Sequence, residues 1–450
     1  MLLLYAPAYC LSLTSHLPFS TLTSSTLTAS APTQQPATLT KTLANGLRVI
    51  AIENPVADIV AARLFVRAGQ SYETEHTAGL FSLLTSVLTK GTETKSALDI
   101  AEAVESIGAS FGADAASDYS VISLKTVSAD FEAVLALAAE VLQQPSYPEA
   151  EIELERKLIL QGLKSVKEQP FSVAYNQLRE AIYAGHPYGL TNAQTEACIA
   201  GFTRDDLQQA HRQYFRPDNM VMTVVGRLSP NLAIKLVEQH LGSWRPPDGP
   251  LPTLQFPSLP VAARKIVTAQ ETNQAFVVLS YLAATVTEPD YAALKLISTY
   301  LGNGLSSRLF VELREKQGLA YDVSAFYPTR LGTAQFVSYI GTGPNNVQLA
   351  LSGLQKEVER LKDTPLSAEE VQVAKNKLLG QYALGKQTNS QIAQTLGWYE
   401  ILGLGIEFDD AFQTAIAAVT IEDIQAAAQR CFTAPNLSVL GPAAAVAPLQ

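Results

Sequence analysis

Charged side chains are scarce in this chain. They make up 16% of its 450 residues, against roughly a quarter in ordinary soluble domains. A disordered or heavily solvated chain is thereby excluded, and extensive buried surface is called for, in a core or at a large interface. Of the two signs the positive is the scarcer: 32 Lys and Arg stand against 42 Asp and Glu, a formal charge of −10, and no lysine- or arginine-rich run occurs. A phosphate backbone needs a basic face, so a nucleic-acid partner is excluded. There are three cysteines, Cys10, Cys198 and Cys431, far apart and without a Cys-x-x-Cys pair. Neither a zinc ribbon nor a disulfide framework follows from them, and they read as small buried hydrophobes. Long apolar runs are missing too. After the first thirteen residues none approaches the 18 or so needed to cross a membrane, which excludes a transmembrane span there.

The first forty residues contain no Asp, Glu, Lys or Arg. They open on an apolar run, Met1 to Leu13, continue through a Ser/Thr-rich stretch, and include Ala29-Ser30-Ala31, a signal-peptidase-like site. The initial positive charge of a signal peptide is absent, and the spacing to Ala31 is long. Export to the cell envelope, a cytoplasmic chain with a disordered leader, and an ill-chosen start codon all remain open for residues 1–37.

At this length the chain calls for more than one core. Six prolines crowd between Arg245 and Arg264, a composition that reads as an extended, semi-rigid linker over 246–264. The flanks, 38–245 and 265–450, resemble each other. Phe202-Thr203-Arg204-Asp205-Asp206-Leu207 matches Val419-Thr420-Ile421-Glu422-Asp423-Ile424 at an offset of 217, and the register continues through Phe215/Phe432 and Asn219/Asn436. Each copy reads as a Thr N-cap with an acidic first turn, a helix, an Asn-containing turn and an apolar strand, Met220 to Val225 or Leu437 to Leu440. Gly46 to Glu53 and Ile59 to Val66 read as paired strands. Gly108 to Val127 reads as a strand pair leading into a helix over Asp130 to Leu142, and Gly318 to Gly341 leads likewise into a helix over Asn346 to Leu361. Phe276 to Leu282 is a strand before a helix starting near Asp290. Strand pairs close in sequence predict mostly antiparallel sheets with helices on one face, hence an α+β class, two homologous domains in tandem.

Two motifs carry the chemistry. In the first, Thr77 to Thr92, the residues Leu80, Phe81, Leu83, Leu84, Val87 and Leu88 cover most of a helix circumference, so the helix is expected to be buried on several sides. Ser82, Thr85 and Ser86, at i, i+3 and i+4, share the remaining stripe, and their hydroxyls are expected to bond carbonyls one turn back. The frame Gly79-Leu80 … Lys90-Gly91-Thr92 resembles the zinc helix of the insulinase/pitrilysin-like metallopeptidases, which carries His-x-x-Glu-His. On that resemblance the two histidine positions fall on Ser82 and Ser86 and the glutamate on Thr85. Three neutral hydroxyls do not hold Zn²⁺. Ile152-Glu153-Leu154-Glu155-Arg156 resembles the family's third-ligand context and puts Glu153 on that position, where one carboxylate makes no metal site. His186-Pro187-Tyr188-Gly189 resembles a packing turn of the same family. The remaining histidines, His16, His76, His211 and His240, are scattered.

The second motif is Ser306-Ser307-Arg308-Leu309-Phe310-Val311-Glu312-Leu313-Arg314-Glu315-Lys316-Gln317-Gly318-Leu319-Ala320-Tyr321. Arg314 is expected in the last turn of a helix ended by Gly318, with Tyr321 entering the next strand. Taken by themselves, Arg314 could pair with Glu312 or Glu315 on the surface and Tyr321 could be a core residue. The block is similar to the family segment that supplies an Arg/Tyr pair to the active site. Such donors stabilise a substrate carbonyl oxygen as it gains charge.

The resemblance, over residues 38 to 442, is to the bacterial and mitochondrial-processing branch. It implies a non-catalytic, zinc-less subunit of a heterodimeric endopeptidase, binding no cofactor itself, with zinc in a homologous partner. It further implies an unfolded or extended peptide as substrate, bound by strand addition, and Arg314 and Tyr321 acting in trans. The alternative is a scaffold or interaction protein of the same fold, similar to the core subunits of the respiratory cytochrome complex.

Overall fold

The computed structural model describes residues 37–449; the stretch read as a leader or signal-like segment, with Cys10, His16 and Ala29-Ser30-Ala31, lies outside the described residues apart from Ala37. The first sheet holds β1 (Thr38–Thr42), β2 (Arg48–Glu53), β3 (Val60–Val66), β4 (Ser110–Ala115), β5 (Ser120–Thr126) and β6 (Met220–Gly226), in the order β1-β2-β6-β3-β5-β4. The second holds β7 (Arg264–Ala269), β8 (Ala275–Ala283), β9 (Ala320–Phe326), β10 (Ala334–Thr342) and β11 (Asn436–Gly441), in the order β7-β11-β8-β10-β9. Apart from the added β1, the two orders are the same. Each sheet is antiparallel except at one parallel pair, β2 with β6 and β7 with β11. The helices before β6 and β11 start on Thr203 and Thr420, each in a capping box with an aspartate, so the duplicated unit folds twice by the same local chemistry.

One expected pairing is corrected. β2 and β3 are not neighbours, because β6 lies between them. All seven residues of β6 are buried, and a strand apolar on both faces needs a central place with cover on each side.

That cover is the feature with no local signal in the sequence. Apart from one exchanged helix apiece, the helices of each half lie on one face of its sheet, around Leu64, Met222, Leu83, Leu135 and Val237 in the first half. The opposite face is covered from the other half. Helix Asn389–Ile401 brings Ala393, Ile401 and Leu402 onto Ile50, Phe65, Val121 and Val221. Reciprocally, helix Pro170–Ile182 brings Ala174, Leu178 and Ile182 onto Val278, Val337 and Leu440 of the second sheet. Asn389 donates to the Ile59 carbonyl (2.8 Å) and accepts from Asn54 (2.7 Å), while Glu400 pairs with Arg48 (3.0 Å), so the exchanged helix is tied at both ends.

Residues 246–263 form neither helix nor strand, yet they are anchored. The Phe256 ring stacks on His186 (5.1 Å between centroids) and lies 5.3 Å from Tyr188. At the same seam the Tyr188 hydroxyl donates to Asp118 of the β4–β5 turn and accepts from the Gly332 amide (3.3 Å) of the β9–β10 loop. Burial pushes the Asp118 carboxyl upward, with the Arg330 guanidinium acting in the opposite sense.

Candidate functional site

The motif helix spans Leu80–Leu88. Leu80, Phe81, Leu83, Leu84, Val87 and Leu88 are all buried, as the wide apolar surface requires. Two of the three hydroxyls in its polar stripe are satisfied internally. Thr85, 2% exposed, donates from Oγ1 to the Phe81 carbonyl (2.8 Å), and Ser86 donates to the Ser82 carbonyl (2.8 Å). These bonds direct the hydroxyl protons at the helix backbone.

Helix Glu149–Val166 packs beside it, and Lys90 pairs with Glu155 across the two (3.0 Å). Glu153, half exposed, pairs instead with Arg156 (3.1 Å). Arg156 is buried and donates to the carbonyls of Ile199 and Phe202. Zinc, implied by the family resemblance, therefore meets two serines, a threonine and a carboxylate already paired, and the donor set does not fit the ion. Among the described residues no group of three or more His, Cys, Asp or Glu side chains is placed to hold a metal. His211 is buried beside Phe215 and His186 beside Tyr188; burial brings each down to about 4. His76 lies exposed ahead of the motif helix.

One functional-looking acid escaped sequence reasoning. Glu73 is buried and accepts from the amides of Gly79 (2.8 Å) and Phe81 (3.0 Å) at the start of the motif helix. Burial raises its carboxyl to about 7, and those two bonds offset only part of the rise. The helix has Gly79, in the left-handed region, as its N-cap and no side-chain cap of its own. An uncapped helix start with an acid a few residues upstream is the signal that could have found it. Beside it a recess of ≈ 550 Å³ is lined by Tyr72, Phe81, Cys198, Phe202 and Tyr214 among others. The cysteine expectation is corrected here: Cys198 and Cys431 are only half-buried, and Cys198 lies on the recess wall with its thiol toward the Glu75 carbonyl (3.3 Å).

The second-half block is built around a π-helical turn, Phe310–Glu315, where an ordinary helix was expected. Gly318 ends it in the left-handed region at φ 64°. Its amide donates to the Arg314 carbonyl (3.0 Å), and the Leu319 amide to the Leu313 carbonyl (2.8 Å), which turns the chain directly into β9. Arg308 pairs with Glu357 (2.7 Å) and Glu312 (3.0 Å), and Lys316 also reaches Glu312 (2.8 Å). Arg314 has no carboxylate within 4.0 Å among the described residues; it donates to the Tyr321 carbonyl (3.0 Å). Tyr321 is no core residue: it is 61% exposed, and a Cβ on Gly343 would lie 3.8 Å from its hydroxyl. The turn thus brings Arg314 onto the backbone of Tyr321 and leaves the phenol open. Ser82, Thr85, Ser86 and Glu153 belong to the first half, Arg314 and Tyr321 to the second.

Comparison with known proteins agrees with this architecture. Residues 48–196 match the profile described as insulinase (peptidase family M16), and residues 201–378 the one described as peptidase M16 inactive domain. An uncharacterized zinc protease of Bacillus subtilis is 28% identical over 393 residues, 87% of this chain and 95% of the relative. A second, from Streptomyces coelicolor, is 26% identical over 408 residues, 89% of each. Among solved structures, a peptidase M16 inactive domain from Pseudomonas fluorescens superimposes with a TM-score of 0.84 at 26% identity, covering 90% of this chain and 98% of that one. A protease from Helicobacter pylori shares the fold at a TM-score of 0.84 and 22% identity, over 90% of this chain and 100% of that one. No described helix is long and apolar enough to cross a membrane.

Proposed function

The chain belongs to the insulinase (M16) family of peptidases, and from that premise we propose that it is a zinc-less subunit of a two-subunit endopeptidase. In this reading it forms part of the substrate chamber, and Arg314 and Tyr321 act at a homologous partner's zinc site. The observation that carries the proposal is the state of Arg314. In a block where Arg308, Glu312 and Lys316 are all paired, Arg314 has no ion-pair partner among the described residues and sits beside an exposed phenol. A cation held without a counterion at a surface suits a ligand that brings the missing negative charge. A peptide carbonyl does so at the tetrahedral stage: its oxygen becomes an oxyanion, and a guanidinium and a phenol can each donate to it. Preorganised donors of this type contribute 10² or more in rate. The motif helix supports the same division of labour, since its Ser82, Thr85 and Ser86 leave any metal chemistry to another chain.

The test is reconstitution. The purified chain is mixed with a homologous subunit carrying an intact His-x-x-Glu-His helix, and cleavage of an unfolded peptide is followed. Activity expected only in the mixture should be lost with Arg314→Ala and reduced with Tyr321→Phe, while assembly persists. Full activity in both variants would leave the scaffold alternative standing.

A further inference from the structure

Arg314, without an ion-pair partner among the described residues, is nevertheless held in place. In its turn the Lys316 amide bonds the Val311 carbonyl five residues back (3.0 Å), a wide register that is rare and concentrated at functional sites. Arg308 and Lys316 occupy Glu312 from two directions, which keeps the nearest upstream carboxylate off Arg314. What Arg314 touches is the face of Phe310, with Cζ 4.8 Å from the ring centroid, and the Tyr321 carbonyl. A ring face fixes the plane of a guanidinium, and a carbonyl fixes one of its edges. Neither cancels its charge, and the other donors of the fork remain available.

Resting on the functional reading above, we propose that Phe310 is a positioning residue that holds Arg314 flat and extended for substrate and prevents it from collapsing onto the exposed Glu315. Phe310 does not touch substrate; it acts through Arg314. An exposed cation–π contact biases the side chain by about two- to fivefold in population, so that is the rate effect expected.

Phe310→Leu keeps an apolar side chain and removes the ring; Phe310→Tyr keeps the ring. In the reconstituted pair, Phe310→Leu should lower kcat two- to fivefold with KM little changed, and Phe310→Tyr should restore it. In the chain alone, the Nε–H resonance of Arg314, assigned by its disappearance in Arg314→Lys, should be shifted upfield by the ring current. That shift should vanish in Phe310→Leu and persist in Phe310→Tyr. Wild-type turnover in Phe310→Leu alongside a dead Arg314→Ala would overturn the positioning role and leave the functional reading intact. An unshifted Arg314 resonance in the wild-type chain would overturn the positioning role even if Phe310→Leu failed to fold. Full turnover in Arg314→Ala would remove both.

Discussion

Gly397 tests the reciprocal helix exchange on which the fold rests. It lies within helix Asn389–Ile401, where that helix crosses the first sheet. A Cβ there would fall 2.5 Å from Thr223 Oγ1 and 2.7 Å from Phe65 Cδ2, so Gly397→Ala forces helix and sheet apart by about 1 Å. The same shift stretches the bond that Thr223 donates to the Ala393 carbonyl (2.9 Å). Helix propensity favours alanine by about 1 kcal/mol. Overpacking costs about 1–3 kcal/mol, and the strained hydrogen bond about 1 kcal/mol more. The net is a loss of about 1–3 kcal/mol. Gly380 supplies the control: it is exposed within helix Ala368–Leu384, and a Cβ there meets nothing within 4 Å. Gly380→Ala should therefore gain about 1 kcal/mol from propensity alone. Hydrogen exchange of the 389–401 amides gives the readout, because protection reports local opening directly. Protection there should fall about tenfold or more in Gly397→Ala and hold in Gly380→Ala. Equal behaviour of the two variants would refute the close approach of this helix to the first sheet.

Glu73 makes stability fall with rising pH. Its folded carboxyl is raised to about 7 from an ordinary 4.5, so the folded state binds the extra proton between those values, and up to about 3 kcal/mol is lost by pH 8. Urea titrations at pH 5 and 8 should show this contribution in the wild type and its absence in Glu73→Gln. His211 works in the opposite direction: lowered to about 4 from 6.5 by burial, it contributes stability present above pH 6.5 and lost as pH falls toward 4. His211→Phe should weaken that acid sensitivity, read as a smaller drop in Tm between pH 7 and 4.5. Phe256→Ala should release the proline-rich segment from His186 and Tyr188 and speed proteolytic cleavage within 246–263, with the two halves still held together by the exchanged helices.

How much of this was legible in the sequence differs by feature. The repeated Thr203 and Thr420 caps are local chemistry, closed within Thr203–Asp206 and Thr420–Asp423, and they marked both copies of the unit. The largely apolar motif helix was legible for the same reason: burial on several sides is written in its own period. The exchange of helices Pro170–Ile182 and Asn389–Ile401 was not, because nothing within either segment says which sheet it will cover. The place of β6 between β2 and β3 depends likewise on a strand that returns from about 160 residues away. At the candidate site, Arg314 and Tyr321 could be singled out only as members of a sixteen-residue block. The π-helical turn, the Phe310 face and the commitment of Glu312 to Arg308 and Lys316 are facts of packing. Glu73 was hidden because its partners, the amides of Gly79 and Phe81, carry no side-chain signature.

The most direct measurement is the rate of peptide cleavage by this chain paired with a zinc-bearing homologue, with and without Arg314→Ala. The expected result is no cleavage by this chain alone, cleavage by the pair, and a loss of about 10²-fold in kcat with Arg314→Ala while the pair still assembles. Undiminished cleavage by the Arg314→Ala pair, or chelator-sensitive cleavage by the isolated chain, would contradict the division of labour proposed for Ser82, Thr85 and Ser86 on one side and Arg314 and Tyr321 on the other.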